Sequence, residues 1–136
     1  MAVKCRVLTF LPGDDRYERI YAACLHWSVR QPATRAELRC NGSLQDKLEG
    51  VGVLLPAVDP VTGQERPHKA GELRFFHCPD GGTVTLDAEE YRLACEHMES
   101  AIPRVHRQYA RQHEAAFAWL ESIPEQDAAP VADAAA

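Results

Sequence analysis

Three times in this chain a cysteine and a histidine fall within two residues of each other: Cys24 with His26, His77 with Cys78, and Cys95 with His97. These residue types ligate zinc or build a thiolate–imidazolium nucleophile, so their spacing decides what they can do. On a helix, residues two apart point about 200° away from each other, which separates Cys24 from His26 and Cys95 from His97. On a strand, neighbours face opposite sides, which separates His77 from Cys78. Zinc sites typically also take cysteines in pairs about two to four residues apart. None of Cys5, Cys24, Cys40, Cys78 and Cys95 is paired at that spacing. The pattern predicts free thiols, no metal and no cofactor.

Other enzyme signatures fail on the same kind of test. Gly81-Gly82 follows a strand-like run, but another strand-like run comes next, with no Lys-Ser or Lys-Thr to make a phosphate loop. No Gly-x-Ser-x-Gly serine motif occurs. A Cys/His enzyme would have to rest on Cys78 with a histidine that points the wrong way. It is the weakest reading, and the protein is expected not to be an enzyme.

A different constellation carries more. Arg104, Arg107 and Arg111 recur at i, i+3 and i+7, with His106 and Gln108 between them, and residues 100–113 contain no acid. On one helix this spacing is one face, and arginine pairs bidentately with carboxylate or phosphate. The stretch before it holds Glu89, Glu90, Glu96 and Glu99 with Arg92 as the single base. Acids early and bases late suit a helix dipole without any partner, so the arginine face competes with a plain solvated surface. A second contact surface is the long run 56–71, rich in Pro, Gly and charge, where Asp59, Gln64, Arg66 and Lys69 are the candidate contacts. These features point to a non-enzymatic macromolecule-binding protein of the inhibitor, immunity, adaptor, assembly or phage accessory type. Its expected partner is another protein with an acidic surface. An acidic and a basic half on one helix would also allow a homodimer paired antiparallel across a two-fold axis.

The alternative of another class is a winged-helix-like DNA-binding regulator using residues 34–50. Two short helices around Asn41-Gly42-Ser43 have that rhythm. Against it, the second helix would offer Gln45, Asp46, Lys47 and Glu49 to the groove, with no arginine to read guanine. The formal charge of −5 also argues against binding through bulk positive charge, although four of the 20 acids lie from Glu121 onward. Nucleic acid is therefore the second partner class, behind protein.

These side chains need elements to position them. Residues 3–11 alternate as a strand that Pro12-Gly13-Asp14 breaks. Asp15 and Glu18 resemble a capping box for a helix carrying Tyr17, Ile20, Tyr21, Cys24 and Trp27, which must stop before Pro32. Thr34 with Glu37 starts a second, short helix that Asn41-Gly42 ends. Residues 51–55 read as a strand, and residues 73–78 and 83–86 as a hairpin about the turn 79–82. Asp87 with Glu90 caps the longest element, whose stripe runs Tyr91, Cys95, Met98, Ile102, Val105, Tyr109, Ala116, Phe117 and Leu120. Pro103 must kink or split it.

The 136-residue chain is thus read as one α+β domain over residues 1–123. A small, mostly antiparallel sheet of about three to four strands would pack against an N-terminal helix and a long, Pro-kinked C-terminal helix. The tail 124–136 has almost nothing apolar to bury and is expected to be disordered. No apolar run approaches the roughly 20 residues of a membrane span. Lys4 and Arg6 also fall where a leader peptide would be apolar, so a cytoplasmic protein is expected. Twelve Arg against three Lys, with 20 Ala, hint at a GC-rich bacterial or phage coding sequence.

Overall fold

Strand β1 (Lys4–Phe10) buries Cys5, Leu8 and Phe10 and is the centre of a three-stranded antiparallel sheet. Along one edge it pairs with β6 (Gly82–Asp87), from Cys5 opposite Asp87 to Phe10 opposite Gly82. Along the other it pairs with the short β7 (Gln126–Asp127). The computed structural model describes residues 3–128. A single α+β unit with a small antiparallel sheet and helices from both ends of the chain is what they form.

Helix α1 (Asp15–Ala22) is capped by Asp14, whose side chain accepts from the Arg16 amide, so Asp15 is the first helical residue rather than the cap. The helix passes into a π-turn at Ala23–Trp27, in which the Ser28 amide reaches the Ala23 carbonyl five residues back at 3.0 Å. That wider turn ends the element before Ser28 and leaves Trp27 36% exposed instead of completing the apolar stripe.

Helix α2 runs unbroken over Arg35–Val51, capped by Thr34 as the sequence predicts. Asn41-Gly42 does not end it. A mid-helix glycine costs about 1 kcal/mol relative to alanine, and tertiary contacts offset that. Leu44 and Leu48 are buried, Ser43 and Lys47 bond Glu90, and Asn41 bonds His97. With one continuous helix, there is no helix-turn-helix in residues 34–50, and the winged-helix reading loses its geometry.

From Gly52 the chain leaves the body as an arm. Strand β2 (Val53–Leu54) pairs with β5 (Phe76–His77), and between them β3 (Ala57–Val58) pairs with β4 (Glu65–Arg66). The predicted hairpin of residues 73–86 is absent, because β5 and β6 belong to different sheets. The turn between them is held instead to the first loop, where the Gly13 amide bonds the Cys78 carbonyl at 2.9 Å. Gly81 (φ +73°) packs so close that a Cβ would meet the Phe10 carbonyl oxygen at 2.7 Å.

The C-terminal stripe is carried by two helices, α3 (Ala88–Ser100) and α4 (Ala110–Ser122), rather than one kinked helix. Pro103 opens a 3-10 turn at Ile102–Arg104, Val105 and His106 are extended, and a second 3-10 turn follows at Arg107–Tyr109. Proline cannot donate the backbone bond an uninterrupted helix needs there. Helix α3 keeps the predicted Asp87–Glu90 capping box. Its buried Ala94 and Met98 join the sheet's Leu8 and Leu86, α1's Ile20 and α4's Ala116 and Leu120 in one core.

The tail is not wholly free. Gln126 and Asp127 add β7 to the sheet, held by Lys4 to Asp127 at 2.5 Å and by the Ala128 amide to the Val3 carbonyl at 2.7 Å. The unpaired edge of β1 supplies the partners that burial could not. The expectation for residues 129–136 lies outside the described residues. Among those described, no helix is long and apolar enough to cross a membrane.

Candidate functional site

The break between α3 and α4 builds a site that a continuous helix would not have. It folds Arg104, Val105, His106 and Tyr109 over the side of α1 and the π-turn, enclosing a cavity of about 270 Å³. Its inner wall is Tyr21, Ala22 and Phe76, its outer wall Trp27, Leu55 and Phe75, and its rim Glu18, Arg19, Arg104 and His106. The π-turn turns Trp27 outward, and a bond from the Leu55 amide to the Phe75 carbonyl at 2.8 Å fixes the arm's contribution. Phe75 and Tyr109 are 44% and 38% exposed, so this aromatic wall is only partly covered by the fold itself.

The wall is braced from behind by His26, whose ring lies 5.6 Å from Tyr21 and 5.0 Å from Phe75 between centroids. His26 Nε2–H donates to the Arg74 carbonyl at 2.8 Å, which leaves Nδ1 as a buried acceptor without a partner. Burial holds the imidazole below its ordinary value, against the Arg74 bond that favours the proton. At the rim, the Arg19 guanidinium carbon lies 4.2 Å over the Tyr109 ring. On the far side, His113 Nε2–H donates to the Met98 carbonyl at 3.0 Å and ties α4 to α3.

The predicted arginine face does not survive as a face. Arg104 lies in the first 3-10 turn, Arg107 and Gln108 in the second, and Arg111 in the first turn of α4. The i, i+3, i+7 geometry requires one helix, and Pro103 removes it. All three guanidinium groups are nevertheless exposed, and among the described residues none has a carboxylate within ion-pair distance. Arg104 and His106 reach the cavity. The His106 ring accepts from the Gln108 amide and so caps the second turn. The split also removes the continuous helix on which antiparallel pairing of two copies would depend.

On the arm, Asp59 and Arg66 serve the arm's own fold. Asp59 Oδ1 accepts from the Val61 and Thr62 amides, closing the tip. Arg66 grips Glu72 through two bonds of 3.0 and 2.6 Å, and that guanidinium, with the Lys69 amide, holds the Glu72 carboxyl down to about 2. Gln64 and the Lys69 ammonium are exposed and lie off the cavity. The arm's links to the site are Leu55, Phe75 and Phe76, and the first two also line a shallower groove with Val58, Arg66 and Leu73.

No group of three or more His, Cys, Asp or Glu among the described residues could hold a metal ion. Burial pushes the thiols of Cys40, Cys78 and Cys95 up, and that of Cys24 up to about 12, so they are poor thiolates at neutral pH. His97 instead joins a polar bridge that spacing did not suggest. Ser28 Oγ–H donates to its Nδ1 at 2.6 Å, and its Nε2–H donates to Asn41 Oδ1 at 2.7 Å. This resembles a nucleophile–base–orienter chain. However, the Ser28 and Val29 amides are already spent on the Ala23 carbonyl and Ser100 Oγ, leaving neither to receive an oxyanion. The bridge fastens the end of the π-turn to α2 and α3.

Set against family models, curated proteins and solved structures, the chain matches none of them.

Proposed function

We propose that this is a non-enzymatic binding protein that works by occupying another protein, through the basic segment 104–111 and the aromatic cavity beside it. The observation that carries the reading is the row of exposed arginines, without a carboxylate partner among the described residues, that starts at the rim of a half-covered aromatic pocket. An exposed cation needs no partner, and scattered exposed apolar residues need none either. Arginine and aromatic side chains are, however, the residue types that dominate protein interfaces. Here they are contiguous, and the arm extends the apolar surface through Val58 and Leu73.

The partner this surface fits is acidic. An inhibitor, immunity, adaptor, assembly or phage accessory protein would each use it in the same physical way. Five free cysteines suit a reducing compartment, and we place the protein in the cytoplasm on that ground.

The test is a partner recovered from native lysate, purified, and titrated against the wild-type chain and the Arg104→Glu, Arg107→Glu double variant. Charge reversal should weaken binding by about tenfold or more, with a steeper loss at low salt. Equal affinity for both chains at low salt would remove the arginine segment from the function.

A further inference from the structure

Resting on that reading, we infer that the cavity is an anchor pocket for one aromatic side chain of an acidic segment, and that the carboxylates flanking the anchor are held by Arg104 and Arg19. Size is the first ground. At about 270 Å³ the cavity has room for one large side chain.

Shape and lining are the second. Tyr21, Phe76 and Val105 form a floor and sides that offer ring faces and edges, with Trp27 and Phe75 standing half-open at the mouth. An aromatic ring entering there meets offset and edge-on neighbours and displaces water from partly exposed apolar surface. The aromatic wall is already braced by His26 and by the Leu55–Phe75 backbone bond, so little ordering is required on binding.

Charge is the third, and it gives the site a direction. Arg19 is half-buried in the lining with its guanidinium carbon 4.2 Å from the Tyr109 ring centroid, and among the described residues no carboxylate pairs with it. Arg104 lines the same mouth without an acidic partner, while Glu18 is the one carboxylate in the lining. A partner's acids are accepted on the side of segment 104–107 and repelled at Glu18, so the segment must enter in one orientation.

The experiment uses the full chain and a panel of capped pentapeptides with the pattern Asp-Glu-x-Asp-Glu, where x is Phe, Trp, Tyr, Leu or Ala. The readout is the shift of the Trp27 indole N–H resonance, assigned by its loss in Trp27→Phe. Members with an aromatic x should bind at millimolar or lower concentration and move that resonance. The Ala member should bind about tenfold more weakly, and Asn-Gln-Phe-Asn-Gln should lose the salt dependence of Asp-Glu-Phe-Asp-Glu. Val105→Trp, which fills the cavity from a half-buried position between the two 3-10 turns, should abolish binding of the aromatic members while amide dispersion stays native.

Equal binding of the Ala and Phe members, or no binding by any member at millimolar concentration, would overturn the anchor pocket. The two readings fail separately. A purified protein partner weakened by the Arg104→Glu, Arg107→Glu variant but indifferent to Val105→Trp would sink the anchor and leave the arginine surface standing. Indifference to both variants would sink the two together.

Discussion

Two groups of arginines in this protein have opposite fates. Between α2 and α3, Arg30 pairs with Glu37 and with Glu96 at 2.7 Å, and Arg92 pairs with Glu96 and with Glu89 at 2.8 Å, so two cations share three acids. Nearby, Glu90 is 2% exposed and is answered by Lys47 at 2.6 Å, by Ser43, and by the Asp87 amide at 2.9 Å. At the break between α3 and α4, Arg104 on the cavity and Arg107 and Arg111 beyond it have no carboxylate within ion-pair distance among the described residues, and an aromatic wall stands half-bare beside Arg104. One side of the molecule is closed upon itself and the other is open. The difference separates groups that hold the fold from groups that are free to hold something else.

The closed side should be intolerant of small changes. A Cβ on Gly52 would lie 2.0 Å from the Tyr17 hydroxyl oxygen, which itself donates to the Leu48 carbonyl at 2.6 Å. Gly52→Ala should therefore cost about 2–4 kcal/mol in urea unfolding, through displacement of a fully buried tyrosine. Lys47→Met should cost about 1–3 kcal/mol, because it strips the counter-ion from a buried carboxylate but Lys47 itself is part-exposed. A loss below about 0.5 kcal/mol for either variant would show that the closed side is not what holds the fold.

The open side should behave in reverse. Arg104→Glu with Arg107→Glu should shift unfolding by less than about 0.5 kcal/mol, since no intramolecular pair is lost. Its effect should appear in partner affinity. A large loss of stability would mean that these cations serve the fold after all, and would erase the comparison.

Acid acts on both sides, since burial holds His26 and His97 alike below the ordinary histidine value. Burial holds His97 below the ordinary histidine value of 6.5, assisted by the charge of Arg30, so the unfolded chain takes up a proton first as pH falls. Stability is then full above about pH 6.5 and declines below it, until the folded form is protonated as well. Glu90 adds a second decline. Burial alone would raise its carboxyl, but Lys47, Ser43 and the Asp87 amide outweigh that and lower it. Its contribution is present above the ordinary glutamate value of 4.5 and is lost as pH falls through the lowered folded value. Urea midpoints at about pH 7.5 and about pH 5.5 should differ in the wild type and differ less in His97→Gln.

One further effect has the opposite sign. Gly42 lies mid-helix, and a Cβ there would meet nothing within 4 Å. Gly42→Ala should stabilise the protein by about 0.5–1 kcal/mol. Unchanged stability would mean that the bonds of Asn41 and Ser43 already fix the helix so firmly that propensity is irrelevant.

Strand alternation in β1 and β6, the caps at Thr34 and Asp87, and the break at Pro103 were all legible, because each is a local preference that tertiary structure left standing. The turn at Asn41-Gly42 misled because its neighbours find partners far along the chain, Asn41 at His97 and Ser43 at Glu90. Residues 73–78 have the local pattern of half a hairpin, whereas the register that pairs β5 with β2 is set by long-range contacts. At the candidate site, the acid-free run 100–113 pointed to Arg104 and His106. The aromatic half stayed hidden, since Trp27 and Tyr109 fall at positions that continue an apolar stripe. Only the π-turn and the 3-10 turns, which periodicity does not encode, rotate them out of the core.

The π-turn at Ala23–Trp27 also speaks to how such a site could arise. A π-turn is an α-helix with one residue too many, and each residue advances the helix by about 100°. Removing one codon from this segment would restore the ordinary repeat and swing the indole about a quarter-turn away from the cavity mouth. In-frame gain or loss of a single residue is therefore enough to create or erase one wall of the pocket without redesigning the core beneath it.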